Sequence, residues 1–172
     1  IAATLVSMCT EVGVMAPGGS GFITLTTPCQ EPITIDAYAV MPGKGLEDIN
    51  PHPPGEKVTF DYGGLTESYI GYRSVAVPGI WAGLAQASSN YGKLPWSDLL
   101  IPAIEITKRG FPLLQGGAEY LQFSHGVIFN WHPQSNQVIY HPDGRLRQKG
   151  EQIFIPDLPE SLALIAEKGV SA

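Results

Sequence analysis

Four histidines and two cysteines carry the widest chemical repertoire in this 172-residue chain. His52, His125, His132 and His141 show no i, i+4 spacing, and none adjoins a cysteine or a carboxylate pair. That pattern argues against a helical zinc site. All four read as surface or hydrogen-bonded structural residues, and His132 and His141 each precede a proline, as turn residues do. Cys9 lies in an apolar helical pattern and reads as a small buried residue; pairing with Cys29 would need a fold that brings the two together. Ser20 stands in Gly19-Ser20-Gly21, but an alternating strand pattern, Phe22-Ile23-Thr24-Leu25-Thr26, comes after it. A serine nucleophile on a strand-to-helix elbow needs a helix there, and so does a phosphate cradle, so Ser20 is a poor candidate for either. The chain by itself offers no convincing catalytic group and calls for no cofactor.

Composition narrows the function classes further. Net charge is −6, and no run of Lys and Arg exists, which speaks against a nucleic-acid surface. No stretch reaches the roughly 18 apolar residues of a membrane-spanning helix. Hydrophobic residues make up 44% and charged residues 15%, enough to bury a core and too apolar for disorder. Twenty glycines and fifteen prolines predict many turns.

The elements that must position any site are organised around residues 74–111. Val75-Ala76-Val77 reads as a buried strand broken by Pro78-Gly79. Ile80, Leu84, Ala87 and Tyr91 recur at helical spacing, with Gly92 suited to the helix end. A second helix is expected with Pro102 in its first turn, Lys108 and Arg109 in its last, and Gly110 as its stop. Upstream, residues 1 to about 12 predict a buried helix. It opens without a cap, which suggests a piece of something longer. Residues 21–27 and 32–38 predict a hairpin that buries Phe22, Leu25, Ile33 and Ile35 on one face. Residues 40–70 are expected to be irregular. Downstream come a helix within 113–129, a short strand at 137–140, a turn at Pro142-Asp143-Gly144 and an amphipathic helix over 158–168 stopped by Gly169.

Five motifs in the central stretch carry a resemblance. Val-Ala-Val-Pro-Gly, Gly-Leu, Tyr-Gly-Lys-Leu-Pro-Trp, Pro-Ala-Ile and Gly-Phe-Pro, in that order and spacing, resemble the large subunit of γ-glutamyltransferases, which are N-terminal-nucleophile (Ntn) hydrolases. The resemblance covers the chain, 1–172, as one unit incomplete without a small subunit. It implies an α+β fold, an αββα sandwich to which the large subunit contributes part. It also implies a precursor that cuts itself. The nucleophile is then the N-terminal Thr of a separate small subunit, whose hydroxyl attacks the amide of a small-molecule substrate while its own amine serves as base. Many members are periplasmic or extracellular; for this chain the compartment stays open. The resemblance implies a longer loop between Pro17 and the last glycines than Gly18-Gly19-Ser20-Gly21 provides.

One departure bears on substrate. The family's large subunit holds the glutamyl α-carboxylate with the Arg of an Arg-Glu-x-Ala-Pro pattern after the second strand. The matching segment here is Asp36-Ala37-Tyr38-Ala39-Val40-Met41-Pro42, with Asp36 and Pro42 anchoring the register. Tyr38 stands in the Arg place and is the candidate substrate-binding residue. A phenol does not neutralise a carboxylate at pH 7, so a neutral or aromatic acyl group is expected. If the substrate is γ-glutamyl, its carboxylate contact must come from elsewhere, with Lys44 and Arg73 as candidates. A third alternative is a non-catalytic binding protein that kept the fold.

Overall fold

The computed structural model describes residues 1–28, 30–46 and 55–171, the side chain of Arg73 apart. Cys29 and His52 lie outside them. Six helices and three two-stranded antiparallel sheets make an α+β architecture among the described residues.

Helix α1 (Ala2–Thr10) is apolar along most of its length and buries Leu5, Met8 and Cys9. It packs on α3 (Trp96–Arg109), which packs in turn on α6 (Leu158–Lys168). Leu100 and Ala103 of α3 and Leu162 of α6 close this core, joined by Leu84 of α2 (Ile80–Tyr91). Trp96 fastens the assembly by donating its indole N–H to the Ile165 carbonyl at 3.1 Å.

The expected terminators act where residue type demands. Gly110 (φ 74°) and Gly169 (φ 79°) end α3 and α6 in backbone that side-chain-bearing residues resist. Lys108 and Arg109 occupy the last turn of α3, as read from the sequence. Pro102 does not begin that helix. The helix starts at Trp96 after Pro95, so Pro102 sits inside it, where its ring removes one backbone donor. Gly92 caps α2 with a negative φ of −76°; the reason for glycine there is the Ser88 carbonyl, which a Cβ would overlap.

A hairpin forms from β1 (Gly21–Leu25) and β2 (Ile33–Ala37), in register Ile23↔Ile35 and Phe22↔Asp36. Its location agrees with the sequence reading, but the buried set does not. Ile23, Ile35 and Ala37 face α2, because strand side chains alternate and these share one parity. Phe22 has the other parity and is exposed. The Gly-rich segment turns tightly before β1, with Gly19 N–H donating to Ala16 O at 2.9 Å.

Residues 75–77 are not a buried strand. Val75 and Val77 are exposed, and only Val77 pairs, bridging to Val40 through two hydrogen bonds of 3.1 and 2.9 Å. An apolar run does not by itself tell a core strand from an open edge. The expected irregularity of 40–70 is also corrected. Its second half is a hairpin of β3 (Glu56–Asp61) and β4 (Leu65–Ile70), closed by Tyr62-Gly63-Gly64. The hairpin leans on α4 (Gln115–Ser124) through aromatic edges: Tyr62 lies 6.3 Å from Tyr120 and 5.9 Å from Phe123, centroid to centroid.

A second core gathers Phe111 of β5 (Phe111–Pro112), Leu113, Ala118 and Leu121 of α4, Ile139 of α5 (Pro133–Ile139) and Ile153 of β6 (Gln152–Ile153). Residues 137–140 therefore end a helix and are not a strand. Pro133 takes the first helical position of α5, and His132 Nδ1 accepts the Gln134 N–H at 3.3 Å. Together they start the helix and commit residues 133–139 to a 3.6-residue period.

Candidate functional site

Tyr38 comes directly after the last residue of β2. Its backbone N–H donates to Asp36 Oδ1 at 2.9 Å, a local turn that fixes the strand end. Phe22 pairs with Asp36 across the hairpin, so Phe22 and Tyr38 are diagonal neighbours on one face. Their rings stack, 5.6 Å between centroids and 17° between planes. Both are mostly exposed, Phe22 at 64% and Tyr38 at 58%.

Backbone from the opposite side holds this end of the strand. The Val40–Val77 bridge ties the chain after Tyr38 to the segment before α2. Gly79 then lets the start of α2 approach so closely that a Cβ would overlap Tyr38 O and lie 2.6 Å from Ala37 O. One turn later Gly83 packs on Ala37, where a Cβ would overlap the alanine methyl. Pro78-Gly79, read from the sequence as a breaker, thus serves as a backbone seat for Tyr38.

The seat presents an aromatic wall carrying one hydroxyl, which donates and accepts hydrogen bonds. Exposed Val40, Met41 and Val75 extend the apolar surface around it. No ion pair involves this region among the described residues. Lys44 is exposed, six residues past Tyr38, and the Arg73 side chain lies outside the described ones. Ser20 is exposed in the turn before β1.

The remaining titratable chemistry clusters around α5. His125 Nδ1 and the Tyr140 hydroxyl lie 2.5 Å apart. Glu151 receives both Arg145 amino groups, at 2.9 and 3.2 Å, the Gln148 backbone N–H at 2.6 Å and His141 Nε2 at 3.0 Å. These donors, Arg145 first, hold the Glu151 carboxyl well below the usual carboxylate range. The clamp fixes the Pro142-Asp143-Gly144 turn, whose Gly144 N–H donates to His141 O at 2.9 Å. His125, His132 and His141 are thus all engaged in structural hydrogen bonds. Among the described residues no three of His, Cys, Asp and Glu gather as a metal group.

Beside this clamp lies a cavity of about 730 Å³, bordered by Asn130, Asn136, Gln137, Tyr140, His141 and Arg147. The sequence reading missed it. Its residues alternate between a helix, a turn and an extended segment, and no single period marks them.

Comparison with known proteins places the whole assembly. The γ-glutamyltranspeptidase family model matches residues 1–172. The glutathione hydrolase proenzyme of Pseudomonas aeruginosa is 32% identical over 152 residues, which is 88% of this chain and 25% of that protein. The crystal structure of Helicobacter pylori γ-glutamyltranspeptidase superposes with a TM-score of 0.78 at 23% identity, covering 98% of this chain and 46% of that one. The cephalosporin acylase from Bacillus halodurans superposes with a TM-score of 0.68 at 22% identity, covering 98% and 30%. The chain thus spans about a quarter of the length of the curated relative it matches. It shares the α+β Ntn-hydrolase fold of these structures. With a family match that runs from the first residue to the last and a backbone that tracks the solved examples, the chain belongs to the γ-glutamyltranspeptidase family.

Proposed function

We propose that this chain is the large-subunit part of an Ntn amide hydrolase or acyltransferase whose acyl group is not glutamyl. Catalysis runs through the N-terminal Thr of a separate small subunit, which forms an acyl-enzyme and passes it to water or to an amine. The small subunit seats against the β1–β2 hairpin, where Phe22 and Tyr38 leave one face exposed and both strands have an unpaired edge among the described residues.

The observation that carries the acyl-group reading is Tyr38 in its backbone seat. The position is held by Asp36, the Val40–Val77 bridge and Gly79, yet it presents a phenol and no positive charge. A carboxylate enclosed against it by the small subunit would meet no positive charge from this residue. A neutral acyl chain would pack on the ring and use the hydroxyl for its carbonyl. The same fold occurs in a protein named as a cephalosporin acylase and in proteins named as γ-glutamyltranspeptidases, so the fold itself is compatible with either acyl group.

The test is Tyr38→Arg in the complete protein, read as the ratio of kcat/KM for a γ-glutamyl amide to that for a neutral acyl amide. A guanidinium in this place would add a charged hydrogen bond worth about 1.5–3 kcal/mol. The ratio is therefore expected to rise by about 10- to 150-fold. A wild-type preference for γ-glutamyl amides that the substitution leaves unchanged would remove Tyr38 from the substrate pocket and favour Lys44 or Arg73 as the carboxylate contact.

A further inference from the structure

We infer that Phe22 is a positioning residue for Tyr38: it fixes the plane of the Tyr38 ring, and through that ring it helps select the acyl group. The inference rests on the reading of Tyr38 as the acyl contact. The Asp36 turn, the Val40–Val77 bridge and Gly79 hold the main chain of Tyr38 and leave χ1 and χ2 of its side chain free. An exposed tyrosine restrained only in this way samples several staggered rotamers. Phe22 supplies the missing restraint. The two rings lie 5.6 Å apart and within 17° of parallel, the offset-stacked arrangement that aromatic pairs favour. One face of the Tyr38 ring is thereby covered. The acyl group is left the opposite face and the hydroxyl, in one orientation.

Burial does not explain a phenylalanine at this place, because the side chain is mostly exposed. Nor does the face on which it stands call for apolar residues. Strand alternation sets Phe22 and Thr24 of β1 beside Thr34, Asp36 and Tyr38 on this face. Thr24 and Thr34 pair through their hydroxyls at 3.1 Å, and Asp36 Oδ1 accepts the Tyr38 N–H. Aromatic character is thus confined to the end of the hairpin that carries Tyr38.

The other face anchors the platform. Ile23, next along β1, packs against the helical core, so the backbone that carries Phe22 is held as firmly as that of Tyr38. A phenyl ring has no hydrogen-bonding group of its own. It therefore orients the phenol without engaging the hydroxyl that the acyl carbonyl would use.

The test is a double-substitution cycle in the complete protein, read as kcat/KM for a neutral acyl amide with a thermal melt of each variant. Phe22→Leu keeps much of the apolar bulk and removes the ring. It is expected to lower kcat/KM by about 2- to 12-fold, the range of one aromatic pair. In a Tyr38→Ala background the same substitution is expected to change nothing, because no ring is left to orient. Phe22→Tyr keeps the stacking face and should retain the wild-type value, which separates orientation from misfolding. Equal losses from Phe22→Leu in both backgrounds would mean that Phe22 supports the fold or the small subunit directly, and would overturn the inference while Tyr38 keeps its role. Unchanged kcat/KM in Phe22→Leu, with or without a lower melting temperature, overturns it as well. A Tyr38→Ala protein with wild-type kcat/KM overturns the acyl-contact reading itself, and the inference falls with it.

Discussion

Gly79→Ala is the substitution that most directly couples the fold to Tyr38. Gly79 has φ −92° and ψ −15°, which any residue adopts, so backbone freedom is not its purpose. Its purpose is space. An added Cβ would overlap Tyr38 O and stand 2.6 Å from Ala37 O and 2.7 Å from Ala37 C. All three atoms are backbone, at the end of β2 and the residue after it, and have no rotamer to escape into. Restoring an ordinary contact of about 3.4 Å to Ala37 O needs a separation of about 0.8 Å between α2 and the strand end. Overpacking of this kind costs about 1–3 kcal/mol. The same displacement acts on Tyr38, and a misplacement near 1 Å lowers rates by about 100-fold where positioning matters. The assay pairs a thermal melt with kcat/KM on the best neutral acyl amide, in the complete protein. Gly116→Ala is the control: that glycine lies in α4 with nothing within 4 Å, so the methyl should be neutral or mildly stabilising. A Gly79→Ala protein as stable and as active as wild type would refute the claim that α2 seats Tyr38 by backbone contact.

Glu151→Gln should destabilise the protein at pH 7, and the gap to wild type should narrow in urea melts as pH falls below about 4.5. The sign comes from a folded pKa held below the ordinary 4.5: the stabilisation is present above that value and is lost as pH drops through the folded one. Cys9, buried at 3% exposure with its thiol pushed up to about 11 by desolvation, should resist iodoacetamide at pH 8 in the native state. It should react readily in denaturant, and rapid native labelling would show that α1 opens.

The sequence was legible where one residue type forces one outcome. Gly110 and Gly169 mark helix ends because few other residues take their φ, and α6 could be read from its periodicity alone. Phe22 and Val75–Val77 were misread because apolar character does not say which side of a strand meets a helix. That depends on α2, whose approach is set by Gly79 and Gly83 far along the chain. The β3–β4 hairpin hid among glycines that looked like loop, although Gly63-Gly64 is itself a hairpin signal. Tyr38 could be located from register, since Asp36 and Pro42 flank it. The cavity could not, because Arg147 reaches it only after the 140–147 segment folds back on the end of α5.

The aromatic seam between Tyr62 and α4 has a practical corollary. A Cβ added at Gly63 or Gly64, next to it, would meet nothing within 4 Å, so this part of the turn faces open space while its first residue, Tyr62, is anchored by rings. Exposed tips of this kind accept inserted sequence. A short tag or fluorophore there would ride on a mount held by Tyr62, whose ring meets Tyr120 edge-on and Phe123 at a tilt. The tip is thus an attachment position outside both hydrophobic cores.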